Sequence, residues 1–122
     1  MSKCTDKQWN KLWDSWSDEQ VSSPYAELMT YQNEVENGGH EQYFDTMSDV
    51  GDLTQEMQVL SGILPDALVK NLRTAYRAYQ RLRENIHDTD ATDVLESCDD
   101  AFYDDDETIN GILEAYAAKI EA

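Results

Sequence analysis

The residues of this chain that could do chemistry are two cysteines, two histidines and a large surplus of carboxylates. Cys98 stands in an acidic segment, where negative neighbours raise a thiol's pKa and leave it unreactive. His40 and His87 lie far apart in sequence. His40, with Glu41 beside it, is the one candidate general base, and a surface or helix-capping histidine is the plainer reading. Carboxylates are so numerous that adjacency alone does not indicate acid–base catalysis. Asp88-x-Asp90 begins like a calcium loop, but the sixth position, which needs Gly, is Asp93, and the twelfth, which needs a bidentate Glu, is Asp99. The Cys and His residues lack zinc-ligand spacing, and there is no glycine-rich phosphate loop. The sequence therefore predicts no metal, no cofactor and no catalysis.

What remains is charge. Nine Lys and Arg stand against 26 Asp and Glu, a formal net charge of −17. A useful excess for a small domain is roughly 2–8 charges. Such a surface repels nucleic acid and anionic lipid and speeds encounters with basic partners. The acids concentrate between Asp88 and Glu107, where ten of twenty residues are Asp or Glu and none is basic. Val94, Leu95, Cys98, Ala101 and Phe102 recur there at helical spacing, so the segment reads as a helix from about Thr92 to Tyr103 rather than as disorder. Asp93, Glu96, Asp100 and Asp104, spaced three, four and four, fall on its outer face. At a rise of ~1.5 Å per residue, neighbours in that row stand about 6 Å apart. Consecutive phosphates along one DNA strand have a similar separation. Asp88, Asp90, Asp99, Asp105, Asp106 and Glu107 thicken the row. A second row could come from Glu27, Glu34, Glu36, Glu41, Asp45 and Asp49, or from a second subunit. The alternative is a solvated face, matched in part by Arg73, Arg77 and Arg81.

The elements that must position these groups are helices. Thr5 with Gln8 reads as a capping box opening a helix over Asp6 to Trp16. Trp9, Leu12, Trp13 and Trp16 share one of its faces, as a core stripe or a docking surface. Ser23 and Pro24 open a second helix, with Tyr25, Leu28, Tyr31 or Gln32, and Val35 facing inward. Gly38 suits the left-handed position that would stop it, and Gly39 the turn that follows. Asn37 and Gln42 carry amides suited to backbone groups stranded there. His40 to Phe44 reads as a short helix whose Tyr43 and Phe44 fold back on the previous one. Asp45 to Asp52 reads as a connection containing Gly51, with Asp52 capping a helix that carries Leu53, Met57, Leu60 and Leu64. Pro65 stops that helix. The longest helix runs from Asp66 to about His87, with Leu68, Leu72, Ala75, Tyr79, Leu82 and Ile86 inward. Lys70, Arg73, Arg77 and Arg81 lie opposite, to pair with neighbouring acids or with the acidic face of another copy. A last helix, Glu107 to Ile120, buries Ile109, Ile112, Leu113, Tyr116 and Ile120.

At 122 residues, with 40% apolar residues, the chain fits one all-α domain of six or seven helices. Residues 1–22 form a Trp-rich helix and connection, and 23–122 the main core. Cys4 and Cys98 are too few for a disulfide framework and read as free thiols in a reducing cytoplasm. Neither a signal peptide nor a membrane span is evident.

The string Glu34, Val35, Asn37, Gly38, Gly39, Gln42, Tyr43 and Phe44 resembles the motif Glu-Val-x-Asn-Gly-Gly-x-x-Gln-Tyr-Phe. That motif marks a family of small acidic bacterial proteins that includes a DNA-mimic protein. Position 40 is His here, where the family more often carries Phe. The resemblance implies an all-α fold from about Ser23 onward, a homodimer, and a non-catalytic protein. Such a protein would occupy the DNA-binding surface of a basic transcription factor or nucleoid protein and bind no nucleic acid itself. The competing expectation is an acidic immunity or inhibitor protein that blocks a basic toxin or nuclease.

Overall fold

A computed structural model describes residues 4–50 and 53–120 of the chain. Among these residues there are six helices and no strand, in one compact domain. The first helix, α1 (Asp6–Ser17), opens on a complete capping box: Gln8 N–H donates to Thr5 Oγ1 (3.1 Å) and Thr5 N–H to Gln8 Oε1 (2.8 Å). The Gln8 amide also donates to the carbonyls of Ala118 and Ile120, at 3.2 and 2.9 Å, tying α1 to the far end of the chain. Leu12 is fully buried, and the three tryptophans pack half-buried against the core in edge-to-face contacts. Trp16 Nε1–H donates to Thr30 Oγ1 at 3.0 Å. The tryptophan stripe thus faces the core, and the indole N–H that burial would strand has a partner.

The second helix, α2 (Tyr25–Val50), is longer than its sequence suggests, because the chain stays helical on both sides of a kink at Gly39. Within the described part of α2, Gly39 alone takes the glycine-favouring conformation, with φ +78° and ψ 179°. Gly38 keeps a helical backbone, so the left-handed stop expected there is not formed. Helix resumes at once and runs through Asp45, so the connection expected over residues 45–52 is helical up to Val50. Its continuation has a physical basis: Met47 is buried, and Tyr79 Oη–H donates to Asp45 at 2.6 Å. Gly51 and the expected cap Asp52 lie outside the described residues.

Helices α3 (Leu53–Ile63), α4 (Asp66–Glu84), α5 (Thr89–Asp104) and α6 (Asp106–Ala117) follow. In α4, Leu68, Leu72, Ala75 and Tyr79 are buried as their spacing requires. The helix ends at Glu84, earlier than expected, and Ile86 is 76% exposed rather than part of the inner stripe. In its place Asp88 caps α5, accepting from Ala91 N–H at 2.9 Å, so α5 starts at Thr89 rather than near Thr92. Two contacts fix how α4 and α5 lie together. Arg81 pairs with Asp88, and the Asn71 amide donates to the Cys98 carbonyl at 2.9 Å. The residue numbers in the two pairs have equal sums, as in an antiparallel hairpin. α2 runs through the centre, packing on α3, α4, α5 and α6, while α1 packs on α6. Tyr31, Tyr43, Phe44 and Phe102 are fully enclosed where these helices meet. Tyr43 lies edge-on to Tyr31 (5.1 Å) and Tyr31 edge-on to Phe102 (5.4 Å), so Tyr43 does fold back on the preceding segment.

Candidate protein-binding surface

The glycine kink turns His40 into the core, where it is fully buried. This corrects the surface or capping histidine, and equally the open general base. Both ring nitrogens are satisfied there: Nδ1 lies 2.6 Å from Asp99 Oδ1 and Nε2 lies 2.6 Å from Tyr31 Oη. Burial first, then the charges of Tyr43, Cys98 and Asp99, push the Tyr31 phenol well up, so it keeps its proton and donates to Nε2. Nδ1–H then donates to Asp99, whose same oxygen accepts His40 backbone N–H at 2.8 Å. The other carboxylate oxygen approaches Gly39 so closely that an added Cβ would stand 2.4 Å from it. Asp99 thus joins α5 to the kink of α2.

The rest of the glycine motif serves the same corner. Gln42 lies over Gly38, filling the space a side chain there would need. Its amide donates to Glu34 Oε2 at 2.9 Å, bridging the kink, and Asn37 reaches Asn33 at 3.4 Å. Neither amide takes the backbone-capping role that sequence reading assigned to it. Val35 offers its carbonyl to the Tyr103 hydroxyl at 3.0 Å, a second tie to α5.

With α5 pinned on its inner side, the predicted acids sort by position. Asp93, Glu96, Asp100 and Asp104 are all exposed, as are Asp90 and Glu107. Among the described residues, none of these six takes part in an ion pair or hydrogen bond. The other four are engaged. Asp88 caps α5 and pairs with Arg81 at 3.1 Å. Asp99 holds His40. Asp105 accepts from Thr108 Oγ1 at 3.0 Å. Asp106 accepts from the Gln32 amide at 2.9 Å. In the second set, Glu36, Glu41, Asp45 and Asp49 are exposed, whereas Glu27 and Glu34 are half-buried and bonded to Ser23 and Gln42. On α4, Arg81 is the basic residue that meets an acid. Lys70, Arg73 and Arg77 are exposed and form no ion pair among the described residues. Most of the acidic charge is therefore not neutralised within the molecule.

Residues 24–120 match the family model of DMP19-like proteins. The chain belongs to the DMP19-like family. No curated protein and no solved structure matches it. The DMP19-like match contains the glycine kink, the pinned α5 and the whole acidic surface, and it leaves α1 outside. The Asp99–His40–Tyr31 chain escaped sequence reading because its members are brought together by the fold: 59 residues separate His40 from Asp99. The one local hint was a histidine between Gly39 and the apolar pair Tyr43 and Phe44. Among the described residues no group of His, Cys, Asp and Glu is placed to hold a metal ion, and no helix is long and apolar enough to cross a membrane. Burial, then Asp99, pushes the Cys98 thiol up, as its acidic setting suggested.

One acid at the edge of this surface titrates near neutrality. Desolvation, then a hydrogen bond with Asp106 and repulsion by it, raise Glu36 from an ordinary 4.5 to about 7. The folded state therefore binds this proton more tightly than the unfolded chain does. Its contribution to stability is complete below the ordinary value and is lost as pH rises through about 7. We expect thermal stability to fall between pH 5 and pH 8, with a smaller fall in Glu36→Gln. Equal pH profiles for the two proteins would remove Glu36 from the account.

Proposed function

We propose that this protein is a non-catalytic DNA mimic, acting in the cytoplasm on a basic DNA-binding protein such as a transcription factor or nucleoid protein. The observation that carries the reading is the row Asp93, Glu96, Asp100 and Asp104, exposed and unpaired on a helix whose opposite side is locked to the core. Rigidity matters because a fixed row of carboxylates occupies a phosphate-binding surface without the entropy loss of ordering a flexible acidic tail. Asp90, one turn before Asp93 on α5, extends the row, and Glu107 adds exposed charge at the start of α6. Of the remaining acids proposed for the surface, Asp88, Asp105 and Asp106 are half-exposed and add charge, Asp88 while capping α5 and Asp106 while bonded to Gln32 of α2. Asp99 supports the row from beneath. Membership of the DMP19-like family, taken with the resemblance to a family that includes a DNA mimic, supports the same reading.

The test is a pull-down from the source cell at low salt, followed by elution with duplex DNA. A mimic's partner leaves the column with DNA, and its binding weakens steeply as salt rises. A nuclease or toxin held firmly against DNA would instead establish the immunity-protein alternative. With a partner in hand, Asp93→Asn, Glu96→Gln, Asp100→Asn and Asp104→Asn together should leave the circular dichroism spectrum unchanged. Affinity should fall about tenfold or more, the sum expected of several exposed charge pairs. Undiminished binding would take this row out of the mechanism.

A further inference from the structure

The basic stripe of α4 has no role in the mimic. Lys70, Arg73 and Arg77 are exposed, and their side chains form no ion pair or hydrogen bond among the described residues. Spaced three and four apart, they lie along one face of the helix within about 10 Å. Like charges at this spacing repel one another, and an anion set among them relieves that repulsion. With Asp66 and Val69 they line one shallow hollow of about 390 Å³. Arg73 also borders a second hollow of about 260 Å³ between α3 and α4, lined by Thr54, Met57, Gln58, Ser61 and Tyr76. Two hollows of different chemistry therefore meet at one guanidinium. The first is cationic. The second sets an apolar wall, Met57 and Tyr76, beside the hydrogen-bonding groups of Thr54 and Gln58.

We propose that the two hollows form one binding site for a small phosphomonoester of the nucleoside monophosphate class. The phosphate lies on the α4 stripe and the organic part in the hollow between α3 and α4. Arg73 stands at the junction, where its planar fork takes two phosphate oxygens while Lys70 and Arg77 close on the remainder. Charge complementarity sets the class of ligand. Three cations beside Asp66 leave the first hollow a local charge of +2, and a phosphomonoester carries roughly −1.5 to −2 at neutral pH. A polyanion does not fit. The α4–α5 pairing, Arg81 with Asp88 and Asn71 with Cys98, sets the stripe level with Asp93, Glu96 and Asp100, so the cationic zone ends one helix away. With −17 on the molecule as a whole, a nucleic acid meets repulsion on either side of its first phosphate. Inorganic phosphate fits the stripe but leaves the second hollow unused. There the Gln58 amide can donate and accept at the edge of a base, and Met57 and Tyr76 cover its apolar surface. The inference does not rest on the mimic reading.

Amide chemical-shift titration of the full chain by NMR tests this, in a chloride buffer at constant ionic strength. The separate probes are adenosine monophosphate, glycerol phosphate and inorganic phosphate. Adenosine monophosphate should bind saturably, with a dissociation constant of about 1 mM or below. It should shift amides of α3 around Met57 and Gln58 as well as those of α4 from Lys70 to Arg77. The other two probes should shift α4 alone and bind about tenfold more weakly. Arg73→Gln should weaken adenosine monophosphate about tenfold or more. It should leave the circular dichroism spectrum unchanged, because Arg73 has no ion pair or hydrogen bond to lose among the described residues. Lys7→Gln removes the same charge from the exposed side of α1 and should change the affinity by less than about twofold. That control separates a local site from the effect of net charge. Absence of saturation up to about 10 mM, equal affinity for all three probes, or an Arg73→Gln variant that binds like wild type would each overturn the proposal.

Discussion

Gly39→Ala is expected to destabilise the fold by about 2–6 kcal/mol, lowering Tm by about 8 °C or more. Two separate costs add. The backbone at φ +78° and ψ 179° is open to glycine and strained for any residue with a Cβ, at about 1–3 kcal/mol. The new methyl would also stand 2.4 Å from Asp99 Oδ2 and 3.1 Å from its carboxyl carbon. That carboxylate cannot swing aside without leaving the two His40 donors it serves, and forced overpacking costs about 1–3 kcal/mol. Urea unfolding followed by circular dichroism measures the sum. The same substitution in an Asp99→Ala background should cost less, since only the backbone term survives. A loss below about 1 kcal/mol in the wild-type background would mean that the kink relaxes at little expense.

The second large effect is at Asp99 itself. Asp99→Ala leaves the His40 backbone N–H and Nδ1–H without an acceptor beside a fully buried ring. Each stranded donor costs about 1–3 kcal/mol, for an expected total of about 2–6 kcal/mol. Asp99→Asn keeps an oxygen for the two donors and should lose about half as much or less. Amide exchange adds a local readout: protection along α5 should drop more than protection along α6. If alanine and asparagine were equally mild, Asp99 would be an ordinary half-exposed acid and the support beneath the acidic row would lie elsewhere. Either variant should also weaken partner binding, although Asp99 faces the core, because the row it supports would lose its fixed spacing.

The elements whose sequence matched the structure share one property: their information is local. A capping box at Thr5 and Gln8, an apolar stripe from Leu68 to Tyr79 and the proline after Leu64 act within a turn or two of helix. Boundaries that missed did so where a distant contact outweighs local preference. Two adjacent glycines read as a stop, yet α2 continues to Val50 because Asp45 and Met47 are held by the rest of the core. Ile86 read as buried by periodicity, but the helix has already ended at Glu84 and leaves it in solvent.

The acidic surface divides in the same way. Composition and helical spacing were enough to place Asp93, Glu96, Asp100 and Asp104 on one exposed face, because charge and periodicity belong to the chain itself. Neither could tell that Asp99, one residue from Asp100, turns inward. Adjacent residues on a helix differ by about 100° in direction, and which of them meets the core depends on where the other helices lie. Only the packed structure brings the kink at Gly39 against α5, buries His40 between Asp99 and Tyr31, and sets the basic stripe of α4 level with the acidic row of α5. Those are relations between segments far apart in sequence, and they exist only once the core has closed around them.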